Sequence, residues 1–106
     1  MRQAEIYRKE LLAGVLTEDG GEYRFCYDEA YLARKDAQPV SLTLPLQTEA
    51  FVSPVLFPFF DGLIPEGWLL NIVTQNWKID KKDRFGILLV ACHDPIGNVN
   101  IREVRQ

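Results

Sequence analysis

A chain of 106 residues, 47% apolar and 25% charged, holds one hydrophobic core and has no room for a second catalytic domain. Its formal charge of -3 gives no long-range attraction to phosphate backbones, which argues against direct nucleic acid binding. Two cysteines and one histidine are too few for a disulfide framework or a ligand cluster, so no metal or cofactor is expected. No run approaches the roughly 18 apolar residues of a membrane helix, and no secretory leader pattern opens the chain. The expected compartment is the cytoplasm, with Cys26 and Cys92 reduced and partly buried.

Glu5 to Glu18 and Glu22 to Tyr27 read as two strands joined across Asp19-Gly20-Gly21, whose glycines supply the positive φ angles of a hairpin turn. The second strand alternates, which places Tyr23, Phe25 and Tyr27 on one face. Asp28 is positioned to cap a short helix through Glu29, Tyr31 and Leu32, because its carboxylate can accept from first-turn amides. That helix stops near Gln38-Pro39. Val40 to Gln47 reads as a strand with Leu42, Leu44 and Leu46 on one face, and Pro45 marks it as an edge or an ending. A polar link, Gln47 to Ser53, follows.

The period then changes. Phe57, Phe60, Leu63 and Ile64 recur at helical spacing, with Pro58 confining the helix to a start near it. Pro65 opens a longer helix to about Lys78, and Lys81 to Asp83 lead into another from Arg84 through Val90. Asp94-Pro95-Ile96-Gly97-Asn98 is a turn by composition, and Val99, Ile101 and Val104 form an alternating, returning C-terminal strand. The sum is an α+β fold, residues 1–106 in a single domain: an N-terminal antiparallel sheet followed by a helical half.

Catalytic chemistry is missing from this reading, so the chain is not expected to be an enzyme. His93 has no neighbouring motif that would orient it as a base, and Asp28-Glu29 and Glu18-Asp19 sit beside turn signals, where capping and solvation account for them. Asp83-Arg84-Phe85-Gly86 resembles the kinase Asp-Phe-Gly only superficially, since Arg84 interrupts it and no phosphate loop or catalytic-loop motif accompanies it.

The stretch FFDGLIPEGWLLN, Phe59 to Asn71, carries the functional expectation. At 100° per residue, Leu69, Ile72, Val73 and Trp77 form a stripe that reads as the core face, so Trp77 reads as packing. Trp68 lies roughly 115° from the centre of that stripe, which directs it to the rim or solvent. A large ring at a helix start, on an acidic domain without catalytic groups, suits an anchor for another protein. The same helix start could hold an anion, but Glu66 places negative charge there.

These residues also carry a resemblance. SLTLPLQ at Ser41 to Gln47, FFDGLIPEG at Phe59 to Gly67, and Asp-x-x-Gly at Asp94 to Gly97 resemble the N-terminal subdomain of HipA-type serine/threonine kinase toxins in order and spacing. The likeness covers nearly the whole chain. In that family the segment is fused to a kinase domain and works with a HipB-like helix-turn-helix protein. A free-standing version resembles the HipS-type proteins of HipBST systems, where the kinase is a separate HipT-like serine/threonine kinase toxin and the small protein can act as the antitoxin. The expectation drawn from these residues is docking on such a kinase near its nucleotide or substrate cleft. Trp68 would be the inserted anchor, Pro65, Glu66 and Gly67 would shape its edge, and Asp61 belongs to the same block. A scaffold joining kinase and HipB-like partner without inhibition, and a small-ligand binder, are the alternative classes.

Overall fold

The computed structural model describes residues 1–64, 67–91 and 99–104, with residues 67–69, 73, 91, 100 and 103 in their backbone only. Among these described residues the strands are β1 (Arg2–Arg8), β2 (Leu11–Asp19), β3 (Glu22–Tyr27), β4 (Phe51–Ser53) and β5 (Val99–Glu103), and the helices are α1 (Glu29–Leu32), α2 (Pro58–Asp61), α3 (Gly67–Trp77) and α4 (Arg84–Ala91). The five strands form one antiparallel sheet in the order β4-β3-β2-β1-β5. The α+β expectation, including the returning C-terminal strand, holds, with β5 pairing antiparallel to β1.

The single strand expected over Glu5 to Glu18 is two strands. Lys9 and Glu10 turn the chain between Arg8 and Leu11 with φ of 49° and 69°, a left-handed pair usually given to Asn and Gly. Neither residue signals a turn, so the apolar pattern appears continuous. The β2–β3 turn is the expected one, with Gly20 and Gly21 at φ 58° and 84°. Pairing of β1 and β2 slips at Ile6/Tyr7, leaving Ala13 without a β1 partner, and its carbonyl accepts from Asp28 N at 2.8 Å. Asp28 then caps α1 as expected, accepting from Tyr31 N at 3.3 Å.

One face of the sheet is the core face. The register places Ile6 opposite Gly14 and Ile101, Ala4 opposite Leu16, and Phe25 opposite Leu16 and Phe51. Ala4, Ile6, Leu16, Phe25 and Ile101 are fully buried there beneath Phe60 of α2 and Phe85, Ile87 and Leu88 of α4. Glu5, Val15 and Cys26 align on the opposite face, where Cys26 is exposed, unlike the partly buried thiol expected.

The strand expected over Val40 to Gln47 is absent. Ser41 and Leu44 form an isolated bridge in a tight turn, with Leu44 N donating to Ser41 O at 3.1 Å. Leu44 is buried but Leu42 is 97% exposed, so the two do not share a core face. Two buried tyrosines impose this shape. The Tyr27 hydroxyl donates to Leu44 O and accepts from Val40 N at 3.0 Å, and the Tyr31 hydroxyl donates to Gln38 O at 2.5 Å. Part of the expected polar link instead forms β4, which extends the sheet beside β3.

Pro58 opens α2 as expected and Phe57, Phe60 and Ile64 are buried. The core face assigned to α3 is corrected. Ile72 and Trp77 are 43% and 63% exposed, while Thr74 is buried and Leu70 packs against the core. A threonine fills this inward position because its hydroxyl donates to Leu70 O at 2.9 Å and leaves no unmet polar group. Trp77 closes the helix. Beyond it Lys78 turns left-handed at φ 52°, and Ile79 N donates to Thr74 O at 3.0 Å, the Schellman pattern.

Candidate functional site

The block Phe59 to Trp68 runs from α2 into α3. Asp61 ends α2 and is held at three atoms. Its N–H donates to Phe57 O at 2.9 Å, its carbonyl accepts from Ile64 N at 3.1 Å, and its carboxylate accepts from Arg84 Nε at 2.7 Å. Gly62 N donates to Pro58 O at 2.9 Å, and Phe60 and Ile64 are buried, so the chain is fixed through Ile64. Pro65 and Glu66 lie outside the described residues. Gly67 and Trp68 are the first two residues of α3, so the described ends of the block belong to consecutive helices.

No residue of α3 is charged, from Gly67 to Trp77. Asn71, Ile72, Gln75, Asn76 and Trp77 are nevertheless exposed along it. In a chain with 25% charged residues this is an uncharged helical surface, the composition of interface cores, where charge is depleted and aromatics are enriched. The absence of charge from 67 to 77 was readable in the sequence. The outward direction of Ile72 and Trp77 was not, because the wheel assigned the core face to the larger side chains.

The Asp83–Gly86 motif serves the fold. Arg2 grips Asp83 with both terminal nitrogens, Nη1 to Oδ2 at 3.0 Å and Nη2 to Oδ1 at 2.7 Å, and Nη2 also meets Glu18 Oε2 at 2.5 Å. Hydrogen bonding from Arg2 is the main cause holding the Asp83 carboxyl below the usual carboxylate range, with Gly86 N adding to it. The Arg2 guanidinium lies 5.1 Å from the Phe85 ring centroid. Among the described residues no group of three or more His, Cys, Asp or Glu could hold a metal ion, and no helix is long and apolar enough to cross a membrane. Cys92, His93 and the turn Asp94 to Asn98 lie outside the described residues. What the arrangement offers is a segment held through Ile64 and an uncharged helix beyond it, a surface suited to contact.

Comparison with known proteins agrees with the motifs. The profile of the family described as HipA N-terminal domain matches residues 4–102. An uncharacterized protein of Haemophilus influenzae is 33% identical over 106 residues, 100% of this chain and 96% of that protein. The candidate kinase Y4mE of Sinorhizobium fredii is 32% identical over 89 residues, 83% of this chain but 21% of that protein, so the chain spans about a fifth of that relative. Among solved structures, one described as the N-terminal domain of HipA toxin matches with a TM-score of 0.76 at 28% identity, covering 100% of this chain and 95% of that one.

Proposed function

The chain belongs to the HipA N-terminal domain family, and from that premise we propose that it is a HipS-like antitoxin that binds and neutralises a separate HipA-like, HipT-type serine/threonine kinase toxin by protein contact. The observation that carries this reading is the pair of lengths. The shared domain accounts for 96% of one relative and only 21% of a candidate kinase. A domain that occurs both as nearly a whole protein and as a small part of a kinase is suited to act on a kinase body in trans.

The anchor in this reading is Trp68, with Pro65, Glu66 and Gly67 at its edge and Asp61 in the same block. Its place in α3 supports the assignment. Position 68 is one helical turn before the exposed Ile72, on a helix without charged residues. Binding near the nucleotide or substrate cleft inhibits by occlusion or by mispositioning a kinase loop, and a HipB-like helix-turn-helix protein joins the same complex. A standard interface buries about 1,200–2,000 Å² in total, and truncating a central tryptophan costs about 2 kcal/mol or more, roughly thirtyfold in affinity.

The test is co-expression of the kinase with the wild-type chain and with Trp68→Ala, both checked for folding by circular dichroism. Growth rescue by the wild type and its loss with Trp68→Ala is the expected result. Equal rescue by a folded Trp68→Ala variant removes Trp68 as the anchor.

A further inference from the structure

Asp83-Arg84-Phe85-Gly86, without a role in the proposed contact, forms a single mechanical junction. Asp83 ties the start of α4 to the sheet through Arg2, which also holds Glu18 of β2. Its Oδ1 also accepts from Gly86 N at 3.2 Å. A Cβ at Gly86 would stand 2.4 Å from Asp83 Oδ2 and 3.3 Å from Arg2 Nη1, so glycine leaves the space that the clamp occupies. Phe85 is fully buried below the Arg2 guanidinium. Arg84, next in the chain to the clamped Asp83, reaches the other way and donates to Asp61 at 2.7 Å.

We propose that this quartet positions the start of the partner-binding block, with Arg84 and Asp61 acting as positioning residues that fix the backbone leaving α2 from Asp61 through Ile64. The inference rests on the reading of the 61–68 block given above. The physical need comes from α2, which has four residues and a single turn, too short to hold a direction by its own hydrogen bonds. α4 is rigid by contrast, with Phe85, Ile87 and Leu88 fully buried. Arg84 carries that rigidity to Asp61, whose carbonyl in turn accepts from Ile64 N, four residues before Trp68. The side chains of Arg84 and Asp61 are 33% and 44% exposed, so water screens the bridge. Its loss therefore changes the population of the correct arrangement by about fivefold at most, with little effect on global unfolding.

The test uses the full chain as wild type, Arg84→Ala, and the swapped pair Asp61→Arg with Arg84→Asp. Amide hydrogen exchange is read at Gly62, Leu63 and Ile64, whose N–H groups bond to Pro58, Phe60 and Asp61 carbonyls. Arg84→Ala is expected to speed these amides two- to fivefold while β1, β2 and α4 keep wild-type rates, and the swap is expected to return them toward wild type. Unchanged rates in Arg84→Ala, or equal acceleration across the sheet, overturn the proposal. Affinity for the isolated kinase is measured on the wild type and on Arg84→Ala, in which Asp61 is kept, and is expected to fall by a matching factor. A wild type that binds while Arg84→Ala binds equally well overturns the positioning role and leaves the antitoxin reading intact. A wild type that binds no cognate kinase overturns the antitoxin reading, and the exchange rates still decide whether Arg84 holds the block.

Discussion

Replacing Tyr27 by phenylalanine isolates what one hydroxyl does for the loop carrying the SLTLPLQ stretch. The ring would remain in place, because its contacts with Phe25, Tyr31 and Phe51, at centroid distances of 4.9, 6.1 and 6.4 Å, do not involve the oxygen. The hydroxyl accepts from Val40 N and donates to Leu44 O, and Tyr27, Val40 and Leu44 are all buried. Its loss strands one backbone donor and one acceptor away from water. At about 1–3 kcal/mol for each unsatisfied buried group, and with some relaxation, Tyr27→Phe is expected to cost about 2–4 kcal/mol. For a domain of this size that is a fall in Tm of roughly 8–16 °C in thermal unfolding followed by circular dichroism. Tyr31→Phe is the internal control. Its hydroxyl donates to Gln38 O and accepts from Gln38 N at 3.4 Å, both on an exposed residue where water can substitute, so its cost is expected near 0.5–1 kcal/mol. If both variants lose less than about 1 kcal/mol, the loop is held by the packing of Val40 and Leu44 alone and the hydroxyl argument is refuted.

Further perturbations probe other parts of the fold. Changing Lys9-Glu10 to Asn-Gly relieves side chains held at φ 49° and 69° and is expected to raise stability by about 1 kcal/mol in denaturant unfolding; a lowered midpoint contradicts the turn assignment. Gly14→Ala places a Cβ 2.4 Å from the Cys26 carbonyl oxygen and 3.0 Å from the Phe25 ring, so β2 and β3 must part, at a cost of about 1–3 kcal/mol; a wild-type Tm refutes that close approach. Asp83 has a folded pKa below its unfolded value because of Arg2, so its contribution is complete above about pH 5 and is lost as pH falls through the folded pKa, below about pH 4. Asp83→Asn is therefore expected to flatten the acid limb of a Tm-against-pH curve. With its side chain 35% exposed, screening holds the effect to about 1 kcal/mol or less.

Where local chemistry and tertiary packing agreed, the fold was legible from residues alone. The alternation of Tyr23, Phe25 and Tyr27, the cap at Asp28, the helix start at Pro58 and the returning β5 all appear as read. The loop at Val40 to Gln47 and the inward face of α3 were misread because a polar group is satisfied by a partner that spacing does not show, whereas the break at Lys9-Glu10 carries no turn residue to signal it. Val40 to Gln47 has strand alternation, but the Tyr27 hydroxyl of β3 captures its backbone at Val40 and Leu44 and folds it into a turn. Thr74 faces inward because its own helix accepts its proton, while Trp77, the last residue of α3, is exposed. The FFDGLIPEGWLLN stretch was visible as the functional candidate. The hold of Arg84 on Asp61 was not, since 23 residues separate them and an Asp-Arg pair has no periodic signature.

The most direct measurement of the central claim is a phosphorylation assay of the purified cognate kinase, titrated with this chain and with its Trp68→Ala variant, alongside calorimetric binding of each. Stoichiometric loss of kinase activity is expected with the wild type, and roughly thirtyfold weaker binding and inhibition with the variant. Tight binding that leaves the phosphorylation rate unchanged would contradict that claim and assign the chain to scaffolding.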